Sequence, residues 1–322
     1  MSENTEKTQQ VLALYRFISP AIPESELKLL KEELQSFCLT CQVRGTLILA
    51  GEGINGTICY PCPGEDKHDA VLEKLESLFP GIKTRSSKSN AVIFTRLSIK
   101  IKKEIVTLGD PNIDPTAIVG TYVKPGVEWD NLLRDPDCLV IDTRNDYEVR
   151  LGSFENAVNP HTESFKDFPE WLSKKSSATS AKKIAMFCTG GIRCEKATSM
   201  VKSLYPDKPV FHLEGGILAY LDNVHQDHST FRGECYVFDK RVAVGHGLIP
   251  SEDYVACFAC RQPLSQKELQ GSDYVKGLSC RYCAKNKSEK QQKRFMDRNK
   301  QVDLAAKRGK HHIHDPKYEK SK

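Results

Sequence analysis

A cysteine that ends an apolar run and is followed at once by glycines and an arginine is placed to react. Ile184-Ala185-Met186-Phe187 leads into Cys188, and Thr189-Gly190-Gly191-Ile192-Arg193 turns the chain into a helix expected to begin near Cys194. Amides at a helix start lack intrahelical acceptors, and the helix dipole is positive there. Those donors and the Arg193 charge favour an anion, so the Cys188 thiol is expected to ionise near neutral pH and act as a nucleophile. The competing reading is an inert apolar cysteine packed beside Met186 and Phe187. A cysteine phosphatase cradle is one residue longer between cysteine and arginine, and that spacing counts against phosphatase chemistry.

Around Cys188, the catalytic candidate, stand other candidates. Arg193 is expected to hold the anion. Cys194 is either an exchange partner that resolves an oxidised Cys188 or a small residue packed at the helix start. Thr189, Gly190, Gly191 and Ile192 are the expected substrate-binding residues, joined by Asp142 and Arg144 at the end of a second apolar strand. Asp142 and Arg144 read as a brace for the loop rather than as reacting groups. Glu195 reads as a favourable charge at the helix dipole.

A second constellation lies further on. Cys257-Phe258-Ala259-Cys260 and Cys280-Arg281-Tyr282-Cys283 form two CxxC pairs separated by nineteen residues. Each pair can chelate from a knuckle turn, and four thiolates make a closed tetrahedral zinc site, structural rather than catalytic. The alternative is two unligated pairs. Cys38 with Cys41, and Cys59 with Cys62, read as structural, with a weaker metal alternative. His311-His312-Ile313-His314 reads as part of a solvated tail.

Three segments position these groups. Up to about Ile118 the order is a strand (Val11 to Ile18), a helix (Glu24 to Phe37), two strands (Val43 to Ala50, Gly56 to Tyr60), a helix (Lys67 to Phe79) and a strand in Asn90 to Leu97. That β-α-β-β-α-β order predicts a ferredoxin-like (acylphosphatase-like) α+β domain over 1–120. Between its central strands, Gly51-Glu52-Gly53-Ile54-Asn55-Gly56-Thr57 resembles a phosphate loop but lacks the lysine. It reads as a hairpin connection in which Asn55-Gly56 supplies positive φ, with a substrate-lining role as the alternative.

From Val123 to His225, short apolar strands (Cys138 to Asp142, Lys183 to Cys188, Pro209 to Leu213) alternate with helices (Glu163 to Lys174, Glu195 to Tyr205). This predicts an α/β domain with a parallel sheet over 121–228, its ligands gathering at the strand ends that carry Asp142 and Cys188. Residues 229–322 make a Cys-rich segment with a basic tail.

The chain has 322 residues and 39% hydrophobic content, enough for two or three domains. The first ten residues show no apolar core leading to a cleavage site, and no apolar run reaches membrane-spanning length. A soluble, cytoplasmic protein without membrane contact is expected, and in reducing surroundings its twelve cysteines favour metal or reactive-thiol roles over disulfides. The net charge of +5 hides an asymmetry. Lys285 to Lys322 carries thirteen Lys and Arg against five Asp and Glu, an excess of eight that leaves the rest at −3. Lys293, Arg294, Arg298, Lys307, Arg308 and Lys310 are expected to contact phosphates of a nucleic acid, the alternative being a solvated helix face.

Asp142-Thr143-Arg144, Phe154-Glu155-Asn156-Ala157-Val158-Asn159, the Cys188 loop and His212-Leu213-Glu214-Gly215-Gly216-Ile217 resemble the successive motifs of rhodanese domains. Asn156 departs from the pattern, standing where many rhodaneses have glycine. The longer strings Ala50 to Thr57, Phe187 to Lys196 and Cys235-Tyr236-Val237-Phe238-Asp239 resemble the bacterial tRNA uridine hydroxylase family, over about Leu12 to Cys283. That resemblance implies an enzyme forming 5-hydroxyuridine at the tRNA wobble position, with tRNA as partner and molecular oxygen as co-substrate. Addition of the Cys188 thiolate or persulfide at uridine C6 would make C5 enolate-like and able to attack oxygen. The main alternative is a sulfurtransferase carrying sulfane sulfur as a Cys188 persulfide. A non-enzymatic RNA-binding or scaffold protein with a vestigial rhodanese is the third. No flavin, haem or facial-triad iron motif is present, and the residues leave the electron source and the oligomeric state open.

Overall fold

The computed structural model describes residues 8–62, 69–90, 93–175 and 180–309. Its first unit is a five-stranded sheet built from β1 (Gln9–Phe17), β2 (Arg44–Ala50), β3 (Gly53–Pro61), β4 (Lys83–Ser89) and β5 (Leu97–Ile101), in the order β4-β1-β3-β2-β5. Helices α1 (Glu24–Thr40) and α2 (Ala70–Leu78) cover one face. Asp69 caps α2 by accepting from the amides of Val71 and Leu72 at 3.1 and 3.0 Å.

Side chains alternate across a strand, so each strand has two different duties here. Leu12, Leu14, Leu47, Leu49, Ile54 and Ile58 face the helices and form the core. Their neighbours Tyr15, Thr46, Asn55 and Thr57 face the opposite way, into a cavity.

Two expectations are corrected. The fourth strand lies at Lys83–Ser89, upstream of the expected Asn90 to Leu97, and a fifth at Leu97–Ile101 runs parallel to β2. Lys-Thr-Arg-Ser-Ser-Lys-Ser has no apolar alternation because its cavity side is polar, which hides it from a periodicity reading. The β2–β3 turn is Gly51-Glu52, and the positive φ belongs to Gly53 (137°), whereas Asn55 and Gly56 pair inside β3. At Gly56 a Cβ would sit 2.1 Å from the Thr46 carbonyl oxygen, so glycine is required there by close strand approach, not by φ.

The central unit is a parallel sheet, β6-β10-β9-β7, made of β6 (Thr121–Val123), β7 (Cys138–Asp142), β9 (Lys183–Phe187) and β10 (Val210–Leu213), with β8 (Gly152–Phe154) outside it. Around it lie α3 (Val127–Arg134), α4 (Asp146–Val149), α5 (Phe168–Lys174), α6 (Ile192–Leu204) and α7 (Gly216–Asn223). Separate apolar clusters around Phe187 and around Met186 cover its two faces. Asn156 has φ +62°, so the position that is glycine in many rhodaneses is a left-handed one that asparagine tolerates.

Beyond the expected boundary near 228 the chain stays with this unit. β11 (Phe231–Gly233) pairs with β8, and Cys235, Val237, Val244 and Leu248 join the core. Two short ribbons follow, β12 (Cys235–Tyr236) with β13 (Ala243–Val244) and β14 (Tyr254–Ala256) with β15 (Pro263–Ser265). Then come α8 (Gln266–Leu269) and the basic helix α9 (Glu289–Lys307).

Candidate active site

Cys188 follows β9 at the floor of a cavity of about 850 Å³, walled by the helix-free face of the first sheet and by the Cys188 loop. Helix α6 begins at Ile192, two residues earlier than the expected start near Cys194, with Gly191 (φ 96°) as its cap. The turn is held from below: the amides of Ile217 and Leu218 donate to the carbonyls of Cys188 and Thr189 at 2.9 and 3.0 Å. A Cβ on Gly216 would come within 2.5 Å of the Cys188 carbonyl oxygen, which is why the His212 to Ile217 motif carries paired glycines.

The Gly191 amide donates to Cys188 Sγ at 3.1 Å, and Cys194 shares the buried cluster around Cys188. Burial pushes the Cys188 pKa up. The Cys194 thiol, the Arg193 charge and the amides of Cys194 and Gly191 outweigh it and bring the pKa down to about 6. Cys194 itself is held protonated, by burial and then by the neighbouring Cys188 sulfur. A thiolate beside a thiol is the result.

This predicts a titration. The ultraviolet thiolate absorbance that wild type shows and Cys188→Ser lacks is expected to have its midpoint near pH 6. A midpoint at the ordinary value of about 8.5 would show that the cradle does not stabilise the anion. Because the folded pKa lies below the unfolded one, the anion contributes fully to stability above about pH 8.5. That contribution is lost as pH falls through about 6.

Arg193 acts on the sulfur through its charge, while its hydrogen bonds go elsewhere. Its guanidinium is clasped by Glu148 at 2.7 and 2.8 Å and donates to Thr189 Oγ1 at 3.2 Å. Asp142 and Arg144, expected near the substrate, are fully buried and outside the cavity lining. They pair at 2.9 and 2.6 Å, and Arg144 also donates to the Gly152 carbonyl at 2.6 Å. Both therefore brace the strand end. Thr189, Gly190 and Ile192 line the cavity; Gly191 and Cys194 lie behind it.

Four groups not singled out in the sequence, Tyr15, Lys83, Arg85 and Tyr122, join the site. Glu195, on α6, accepts from Tyr15 (2.8 Å), Lys83 (2.5 Å) and Tyr122 (3.0 Å), so it is a junction between the two units as well as a dipole charge. Burial and Glu195 both raise the Tyr15 and Tyr122 pKa values, so the phenols stay protonated as donors. Arg85 lines the same wall and pairs with Asp222 at 2.8 Å. The buried Lys196 ties α6 to Glu52 (2.8 Å) in the β2–β3 turn and to Glu104 (2.6 Å) after β5. The Asn55 amide donates to the Ile105 carbonyl at 2.9 Å and faces the cavity, so part of the glycine-rich segment does line it. At the mouth Phe238 is 58% exposed, edge-on to Tyr236 at 5.0 Å.

Outside the lining of this cavity, the sulfurs of Cys257, Cys260, Cys280 and Cys283 lie within 4.8 Å of one another. The Cys260–Cys280 and Cys280–Cys283 separations are 3.6 and 3.7 Å, against about 3.8 Å for thiolates at 2.3 Å from a tetrahedral zinc. This donor set fits a metal ion. Cys38 and Cys59 are buried with pKa values pushed up to about 11, chiefly by desolvation, as inert core cysteines. Arg298, assigned above to phosphate contacts, donates instead to the carbonyls of Phe258 and Gly277, both at 3.0 Å. It pins α9 to the cysteine cluster. Lys310 and the His311 to His314 run lie outside the described residues.

Residues 9–105 match the family model described as a UPF0176 acylphosphatase like domain, and residues 127–223 that of a rhodanese-like domain. A tRNA uridine(34) hydroxylase of Teredinibacter turnerae is 45% identical over 308 residues, covering 95% of this chain and 92% of its own. The chain belongs to the tRNA uridine(34) hydroxylase family. A second member, from Rhizobium leguminosarum bv. trifolii, is 46% identical over 305 residues, 94% of this chain and 96% of its own. Among solved structures, a rhodanese-related protein of Thermoplasma volcanium is 19% identical, covers 33% of this chain and 94% of its own, and has a TM-score of 0.25. Membership spans the first unit, the Cys188 loop and the cysteine cluster together. Among the described residues no helix is long and apolar enough to cross a membrane.

Proposed function

We propose that this chain hydroxylates uridine at the wobble position of tRNA, forming 5-hydroxyuridine with molecular oxygen, and that Cys188 is its covalent catalyst. One observation carries the reading: a stabilised thiolate at the floor of a cavity of about 850 Å³, in a chain whose relatives are named for that reaction. A cavity of this size admits a nucleoside. An anticodon-loop uridine is single-stranded and can be splayed from its neighbours into such a pocket at small cost.

The Cys188 thiolate adds to C6 of the ring, and the electron pair displaced from the C5–C6 bond makes C5 enolate-like, able to combine with oxygen. Lys83, Arg85 and Arg241 line the cavity and favour the negative charge of the enolate-like adduct and the nucleotide phosphate. The Cys188 loop supplies binding contacts through Thr189, Gly190 and Ile192. Asp142 and Arg144 act on substrate only through the loop they brace. Nucleoside mass spectrometry of tRNA incubated with the chain, under air and under argon, tests the reaction. An air-dependent gain of one oxygen on uridine is the expected result; sulfur transfer from thiosulfate to cyanide without that gain would replace it with the sulfurtransferase reading.

We assign zinc, as a structural ion, to Cys257, Cys260, Cys280 and Cys283, and phosphate contacts to the exposed Lys293, Arg294, Lys307 and Arg308 around α9. A structural zinc stabilises the fold outright. Chelation is therefore expected to release one zinc per chain and raise protease cleavage after about Ile249. Residues 9–248 should stay resistant. Full resistance of the whole chain after metal removal would contradict the assignment.

A further inference from the structure

Placing one atom of dioxygen on uridine C5 and releasing the other as water requires two electrons beyond those the base supplies, and resting on the hydroxylase reading above, their source is open. We propose that Cys188 and Cys194 are that source, acting as a dithiol that ends each turnover as a disulfide. Cys194 is a buried nucleophilic group that the covalent step leaves unused. It lies behind the cavity lining, so it does not face substrate. It shares one buried cluster with Cys188, and Thr143 Oγ1, 3.6 Å from Cys194 Sγ, donates at 3.0 Å to the carbonyl of Phe187, the residue before Cys188. Both cysteines are buried, but only Cys188 lines the cavity, so Cys194 reaches the reaction through it. Cys235, also buried, is turned away, donating to the Tyr236 carbonyl at 3.6 Å.

The electrons balance as follows. Oxygen adds at C5 of the Cys188 adduct; loss of the C5 proton with departure of the Cys188 thiolate from C6 leaves a C5 hydroperoxide. The thiolate attacks the distal oxygen, so that an S–O bond forms and the O–O bond breaks. The electron pair left on the proximal oxygen takes a proton to give C5–OH. The Cys194 thiol then attacks the Cys188 sulfenic acid, forming S–S and breaking S–O, and water leaves. Uridine, dioxygen and two thiols become 5-hydroxyuridine, water and a disulfide. A small thiol or a dithiol protein resets the pair.

The test uses the full-length chain, reduced and then freed of thiol, with tRNA bearing uridine at position 34, under air. Product is quantified, free thiols are alkylated under denaturing conditions, and peptides are read by mass spectrometry. Expected is about one 5-hydroxyuridine per chain and a matching yield of linked Cys188–Cys194 peptide, with further product only after a thiol is added. In Cys194→Ser the same single turnover should leave Cys188 as a sulfenic acid, captured by dimedone, which a packing role for Cys194 would not produce. Product formed by wild type with both thiols free would overturn the proposal even if the serine variant fails to fold. So would an equal disulfide yield without tRNA. Absence of 5-hydroxyuridine from wild type with thiol present would instead overturn the hydroxylase reading, and this proposal with it.

Discussion

Serine in place of Cys188 will leave wobble uridine unmodified, with product falling by at least about 10³-fold, the order seen when a covalent nucleophile is removed. Two features make the effect large. A serine hydroxyl has no accessible anion near neutral pH, whereas the cradle brings the Cys188 thiol down to about 6. The amide of Gly191, 3.1 Å from the sulfur, is set for a large soft anion and would have only a neutral oxygen to meet. The variant should still fold, with its thermal transition lowered only by loss of the anion's contribution to stability; a cooperative transition in both proteins is the control. Residual hydroxylation above about a tenth of wild type would remove Cys188 from the covalent role.

Glu148→Gln is expected to cost about 3–5 kcal/mol of stability, a large share of a typical total of about 5–15 kcal/mol. The Glu148 side chain is wholly inaccessible and that of Arg193 nearly so, and the carboxylate takes two guanidinium hydrogen bonds. Burial raises the Glu148 pKa, but the Arg193 charge and its hydrogen bonds, with help from Arg144 and the Asn145 amide, hold it below the ordinary range. With the folded pKa depressed, the stabilisation is present above about pH 4.3 and is lost as pH falls through the lower folded value. Amidation leaves Arg193 charged and buried without the carboxylate that clasps it, with only the Cys188 thiolate to offset it. Urea denaturation of the single variant and of Glu148→Gln/Arg193→Met separates the causes. The double variant should recover more than half of the loss, since no uncompensated charge remains. A single-variant loss below about 1 kcal/mol would mean that the pair is not the clasp that anchors the loop.

Much of this site was legible in the linear chain because its determinants are local. An apolar run, a cysteine, two glycines and a helix start within ten residues dictate the amide cradle whatever packs around them. The CxxC pairs were legible for the same reason: each chelating turn is closed by its own four residues. Helices α1 and α2 and strand β7 followed from periodicity, since each buries one consistent face or both.

The other half of the cavity was not legible. Lys83, Arg85 and Ser87 stand on a strand whose sequence reads as a polar loop, since its cavity side has no apolar partner to satisfy. No local pattern marks Tyr15 or Tyr122, yet their hydroxyls meet Glu195 from residues 180 and 73 positions away in the chain. No local pattern encodes such a distance. Arg193 was visible as the loop cation, while its partner Glu148 sits in a four-residue helix that periodicity cannot detect.

The sequence by itself determined the chemistry available to this protein: a thiolate loop, a second thiol six residues on, a four-cysteine cluster and a basic tail, each defined by short-range backbone geometry. Tertiary structure alone decided where that chemistry is enclosed. The cavity exists because the helix-free face of the first sheet closes over the Cys188 loop, joined by Glu195 and by Lys196 between Glu52 and Glu104. Those contacts link groups far apart in the chain, and their strength comes from burial, which only the packed fold creates.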